Sequence, residues 1–209
     1  MSPKTKRRML LHFQQHFSRY LLLIFLFFTG ALCGVFSVST LSESGRASSV
    51  QYSGALMQAL SHSIPDIGMT LLWSVFVRFG SLLILYGGGI LCVGTIVSTL
   101  HMLCFGFSMG FTADLFFRSI GWKAAFVLIG ALLPSAFVFA VYLYASNLSM
   151  QTSRILRQEI AKRRRLRIRE RAARATSSWA PVAAAMLAGV LLESLVSPLL
   201  MHFFAKILV

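Results

Sequence analysis

Apolar stretches of membrane length alternate with short polar ones along this chain, and the alternation predicts an all-α architecture. The first apolar run, LLLIFLFFTGALCGVFSV, follows a flank carrying Lys4, Lys6, Arg7, Arg8 and Arg19. The run is longer than the apolar region of a cleaved signal peptide, and no clean small-x-small site follows it. Residues 20–38 are therefore expected as a retained first span behind a basic arm, residues 1–19. Residues 39–64 are polar and serine-rich, with Glu43 and Arg46 as their only charges. Within them Tyr52, Leu56, Met57 and Leu60 share one helical face, which predicts a short amphipathic helix on the outer surface, touching lipid or an external partner. Residues 39–77 are read as an external loop with interfacial helices.

The apolar pattern resumes at Ile67. A single helix over residues 67–97 would be about 45 Å long, against a hydrocarbon core of ~30 Å. Its first turns are therefore placed at the interface, with Arg78 snorkelling from the outer end and residues 79–95 crossing. A tight turn leads to a span at 98–117, Gly121 and Trp122 mark a short outer loop, and 124–145 crosses again. Residues 78–145 thus form a three-span helical core. Gly106 and Gly110 stand four apart in it, as Gly30 and Gly34 do in the first span, and such small-residue faces let helix backbones approach closely. Pro134 deprives the carbonyl of Gly130 of its helical partner, so a kink or a polar contact is expected there. Asp114 lies four residues before Arg118, a spacing that predicts an interfacial ion pair.

Composition changes the picture in one respect, the placement of charge. The chain of 209 residues is 56% hydrophobic, with 20 Lys and Arg, six carboxylates and a net charge of +14. Five of the basic residues lie in residues 1–19 and ten in 154–174. Such clusters beside apolar spans are what cytoplasmic segments carry, and nothing resembling an aromatic-interleaved basic fold accompanies them, so no nucleic-acid partner is expected. Residues 146–178 are read as a basic cytoplasmic loop in contact with anionic membrane lipid. Four spans between two cytoplasmic clusters, with one span after them, predict a polytopic transmembrane helical bundle of about five spans, N-terminus cytoplasmic and C-terminus external. Cys33, Cys92 and Cys104 all lie in apolar runs, where a thiol acts as a small hydrophobe, and no disulfide framework is expected. No Ser/His/Asp arrangement, zinc-ligand spacing or phosphate loop is present, so no catalytic, metal or cofactor-binding residues are assigned. His12 and His16, on the basic arm, are read as surface histidines.

Residues 179–209 are read as the last span and an external tail. Glu193 lies some 21 Å beyond Trp179 at ~1.5 Å per residue, a costly depth for a charge. Ser197 is one turn later and Pro198 frees the carbonyl of Ser194, so polar groups are expected to converge within one turn. Glu193 either stays protonated and donates a hydrogen bond or pairs with a base from another helix. Both functional coupling and helix-to-helix attachment fit it. Pro198 offers a break after which the tail bends onto the outer interface.

The basic start before GALCG, the FGFSMGF segment leading to IGW, Pro134 in the next span and LLESLVSPLLM at 191–201 together resemble the stage II sporulation protein M family. Its members are integral-membrane components of the engulfment machinery of endospore-forming bacteria. The likeness covers nearly the whole chain, although the external loop is shorter and the cytoplasmic loop more arginine-rich than is usual for the family. The resemblance implies a non-enzymatic scaffold at the septal cell membrane, on the mother-cell side. It would recruit two peptidoglycan hydrolases, a lytic transglycosylase and an amidase/endopeptidase, and self-association is compatible with that role. The alternative is a small-solute or ion transporter or channel subunit using Glu193 and Asp114. Transporters of that kind are commonly built from paired repeats, which this chain lacks.

Overall fold

The computed structural model describes residues 3–62, 66–161 and 165–208. All the elements among them are helical: α1 (Pro3–Thr40), α2 (Glu43–His62), α3 (Ile67–Ile90), α4 (Gly94–Ile120), a single 3-10 turn (Gly121–Lys123), α5 (Ala124–Ala161) and α6 (Arg165–Leu208). Four stretches are long and apolar enough to cross a membrane: Phe17–Thr40, Ile67–Ile90, Gly94–Ala161 and Thr176–Phe204. The third, 68 residues long, contains both α4 and α5. Side-chain expectations for His12, His16, Met57, Leu60 and most of the arginine-rich stretch lie outside the described residues.

The long helices alternate in direction. From α4 to α5, Gly94 meets Ser153, Ser98 meets Ser146 and Phe105 meets Phe139, an antiparallel order. Helix α3 runs parallel to α5, because Arg78 meets Tyr142 and Leu85 meets Ser149. It runs antiparallel to α6, where Tyr86 meets Thr176 and Arg78 meets Glu193. Helix α1 lies parallel to α4. Helices α1, α4 and α6 therefore point one way and α3 and α5 the other. Helix α5 is central, packed against α1, α3, α4 and α6. Its Val138 and Tyr142 meet Leu23, Leu85, Met102, Met186 and Val190 in the main core.

The polarity of this bundle is the reverse of a water-soluble one. Phe25, Phe28, Phe76, Leu83, Ile84, Leu100 and Leu133 are exposed, whereas Ser98, Ser146, Asn147, Ser149, Thr152 and Ser153 are buried. In water such a surface would aggregate. In a bilayer it faces lipid, while Ser98, Ser149 and Ser153 find partners on neighbouring helices.

The α1–α4 contact is made of the two glycine pairs. A Cβ on Gly30 would strike the carbonyl of Leu103 and one on Gly34 that of Phe107, while Gly106 and Gly110 face the carbonyls of Phe27 and Ala31. Each helix lacks side chains where the other's backbone passes, so the two lie in direct backbone contact.

Several boundaries differ from those expected. Helix α3 starts at an Asp66 N-cap, whose carboxylate accepts from Gly68 N–H (2.9 Å), and runs to Ile90. Arg78 therefore sits mid-helix and not at an outer end. The turn Leu91–Val93 places Cys92 at a φ of 62°, with Val93 N–H donating to Gly88 carbonyl (3.0 Å), in the left-handed position glycine usually takes after a helix. Residues 146–156, expected to have left the bundle, remain in it: Ser146, Asn147, Ser149, Met150, Thr152, Ser153 and Leu156 are buried. Helix α5 continues through Pro134, and α6 through Pro181 and Pro198. The residues after Pro198 do not bend away. They pack on the first turns of α5, with Phe204 against Phe126 and near Gly130, where neighbouring helix surface replaces the outer interface expected from their sequence.

Replacing Gly106 by Ala is expected to lower the thermal unfolding midpoint in detergent micelles, by the ~1–3 kcal/mol typical of overpacking. Gly80→Ala, where the added methyl meets nothing within 4 Å, should be neutral or mildly stabilising. Equal behaviour of the two variants would contradict the backbone contact.

Candidate functional site

Glu193 of α6 lies in the half-buried interior beside Arg78 of α3. Arg78 Nε donates to Glu193 Oε2 (3.0 Å) and Nη2 donates to Oε1 (2.6 Å), a two-point pairing with side chains 17% and 15% exposed. Fork geometry of this kind fixes angle as well as distance, so it orients α3 relative to α6. Ser135 of α5 lies 3.1 Å from Glu193 Oε1 and 3.0 Å from the Ala131 carbonyl, and its single proton serves one of them at a time. The Tyr142 hydroxyl donates to the Arg78 carbonyl (3.3 Å), and the guanidinium carbon lies 5.6 Å from the Phe105 ring centroid, within cation–π range. Four helices, α3 to α6, thus meet at one ion pair.

A cleft of about 480 Å³ opens beside the pair between α3 and α4. Trp73, Ser81, His101, Ser108 and Thr112 line it with Arg78. The His101 ring packs at a tilt against Tyr142 (4.6 Å between centroids), and its buried Nδ1 has no hydrogen-bond partner among the described residues.

The remaining candidate residues are distributed elsewhere. Asp114 and Arg118 form the (i, i+4) pair, Nε to Oδ2 2.7 Å, and Arg118 Nη2 also donates to Ser39 Oγ (3.1 Å), tying the end of α4 to the end of α1. Both are far from Glu193 along the chain and share no partner with it. Gly106 and Gly110 serve the α1 contact. Pro134 is buried next to Ser135, which does reach Glu193. Ser197 does not join Glu193: its hydroxyl is directed to Met201 sulfur (3.7 Å), and Ser194 donates to Val190 carbonyl (2.8 Å). The polar convergence expected within one turn of α6 is instead spread over three helices. Consecutive turns of one helix stack their side chains along its axis, whereas a neighbouring helix can aim a side chain across the gap.

Sequence reasoning missed Arg78, Ser135, Tyr142 and His101. For Arg78 a signal existed, since it is the one basic residue between Arg46 and Arg118. Glu193 is likewise the one carboxylate after Glu170. Lone opposite charges in apolar runs are best accommodated as partners. No group of three or more metal-capable side chains occurs among the described residues. No family model matches the chain, and no curated protein or solved structure matches it either.

Breaking the pair from one side leaves a buried charge uncompensated. Glu193→Gln and Arg78→Met are each expected to destabilise the bundle by about 3–5 kcal/mol. Arg78→Met combined with Glu193→Leu should recover a large part of that loss. Thermal unfolding of the three variants in one detergent checks the cycle, and additive losses would exclude a direct interaction.

Proposed function

We propose that the chain is a membrane scaffold of the sporulation engulfment machinery, crossing the bilayer five times with its basic end in the cytoplasm. It recruits a lytic transglycosylase and an amidase/endopeptidase to the septal membrane on the mother-cell side. The alternating directions of α1, α3, α4, α5 and α6 support the five crossings, since they count α4 and α5 separately. They carry Arg19, Arg154 and Arg157 to one end and α2 to the other. The motif at 191–201, which resembles the sporulation family, supports the scaffold. The observation that carries it is the engagement of Glu193: both carboxylate oxygens are held by Arg78, so the residue binds helices together.

In this reading the partner surface lies at the end opposite the basic residues. Residues after Pro198 pack on α5, and Arg78 faces inward, so the contact falls to α2 and the 3-10 turn at the same end of the bundle. Tyr52 on α2 and Trp122 on the turn are 73% and 87% exposed, large aromatic groups of the kind that anchor interfaces.

A second reading, a transporter or channel subunit, is favoured by one observation, the cleft beside Arg78 with the unpartnered His101 nitrogen. Crosslinked pull-down of the tagged full chain, with co-purifying proteins identified by mass spectrometry, is expected to recover both hydrolases. The double substitution Tyr52→Ser with Trp122→Ser should reduce their yield about tenfold or more, as loss of hot-spot aromatics does. Unchanged recovery would refute this assignment of the surface. Solute flux in vesicles that is abolished by Glu193→Gln, with assembly intact, would favour the transporter.

A further inference from the structure

Arg19 of the first basic cluster and Arg154 and Arg157 of the second, far apart in sequence, come together in the bundle. A second cavity of about 480 Å³ lies at the basic end, bounded by α1, α4 and α5. Arg19 from α1 and Arg154 and Arg157 from α5 line it, with Ser18, Thr95 and Ser153 supplying hydroxyls, and no carboxylate is among its lining residues. Three guanidinium groups around one cavity repel one another unless an anion sits between them. Arg19 Nη1 is buried with no acceptor among the described residues. Arg157 is anchored by Nε to the Cys92 carbonyl (2.6 Å), leaving its terminal nitrogens free of that contact. Ser153 Oγ accepts from Gly94 N–H (3.2 Å) and keeps its own proton to donate. Thr95 stands in the first turn of α4, where the helix dipole is positive.

We propose that this cavity binds a phosphate group, specifically the phosphodiester of an anionic phospholipid. Guanidinium forks pair bidentately with the oxygens of a phosphate, the hydroxyls add further donors, and no lining carboxylate competes for them. The lipid source follows from position. Leu22, an exposed apolar residue one turn into the first membrane stretch, also lines the cavity, so an acyl chain can leave along α1 while the headgroup stays among the arginines. The volume also exceeds what a lone phosphate ion needs. A lipid so bound would join α1, α4 and α5 where their like charges otherwise push them apart.

The test uses the full chain in a neutral maltoside detergent, titrated with phosphatidylglycerol or phosphatidylcholine and read by native mass spectrometry. One phosphatidylglycerol is expected to be retained in preference to phosphatidylcholine. Arg19→Gln and Arg154→Gln should each weaken that retention by about tenfold or more, the usual loss for a charge-assisted hydrogen bond. Lys123→Gln, which removes one charge at the opposite end, should leave it unchanged. Arg154 is exposed, so its variant tests the site without disturbing packing. Arg154→Lys should restore part of the affinity. If inorganic phosphate displaces the lipid at equal concentration, the site is a phosphate site whose source is the aqueous phase. Equal retention by the wild type, Arg19→Gln and Arg154→Gln would overturn the proposal, as would an equal loss in Lys123→Gln.

Discussion

A polar group facing hydrocarbon without a partner costs several kcal/mol, and the interior of this bundle is arranged by that penalty. Several of the buried hydroxyls and amides meet partners on other helices. Ser149 donates to the Leu85 carbonyl (2.6 Å), Ser98 to the Ser146 carbonyl (3.1 Å) and Asn147 Nδ2 to the Tyr20 hydroxyl (3.0 Å). Each such bond fixes a register between two helices that lipid-facing leucines and phenylalanines leave open. The Arg78–Glu193 pair is the most demanding instance. Neither charge is tolerable alone at its position, so formation of the pair and correct packing of α3 on α6 are one event.

Close backbone approach is the second constraint, and it acts where polar bonds are few. Between α1 and α4 no described side-chain hydrogen bond holds the middle of the contact. The glycines at 30, 34, 106 and 110 substitute extended dispersion contact for it, which is how helices associate where lipid removes the hydrophobic driving force. At the end of that contact Arg118 reaches both Asp114 and Ser39, and at the basic end Arg157 holds the turn after α3. Glycine contact in the middle and arginine contacts at the ends therefore divide the work of joining the elements. The same division separates the proposed roles: the end bearing α2 and Trp122 is left for partners, the basic end for anionic lipid.

The two arginine-lined clefts described above fit this arrangement in different ways. The one beside Arg78 borders an ion pair already satisfied within the protein. The other gathers three arginines with no carboxylate among its lining residues, a charge that the proposed phosphate would offset. That contrast is why the phosphate is placed at the basic end and not beside Glu193.

Much of the architecture was readable from residue order alone. Apolar run length is a local property, so the helical class, the membrane-length stretches, the Gly121 turn and the Asp114–Arg118 pair at one-turn spacing all followed from neighbouring residues. The small-residue faces at 30/34 and 106/110 were visible too, though not that they face each other. What local pattern could not supply was the pairing of residues 115 positions apart. The pattern places Arg78 as an interfacial snorkel and offers Glu193 either a hydrogen bond near Ser197 or a base from another helix. The second holds, but sequence spacing reveals only what one helix presents on its own face and so does not name that base. The same holds for the tail after Pro198, which its sequence directs to the outer interface, since a proline marks where a helix can break but not whether a neighbour holds it straight. The sequence by itself thus determined which segments are helices and which of them prefer lipid. Only the tertiary structure decided which polar groups satisfy one another, because in hydrocarbon that choice depends on which helices are adjacent and which way they run.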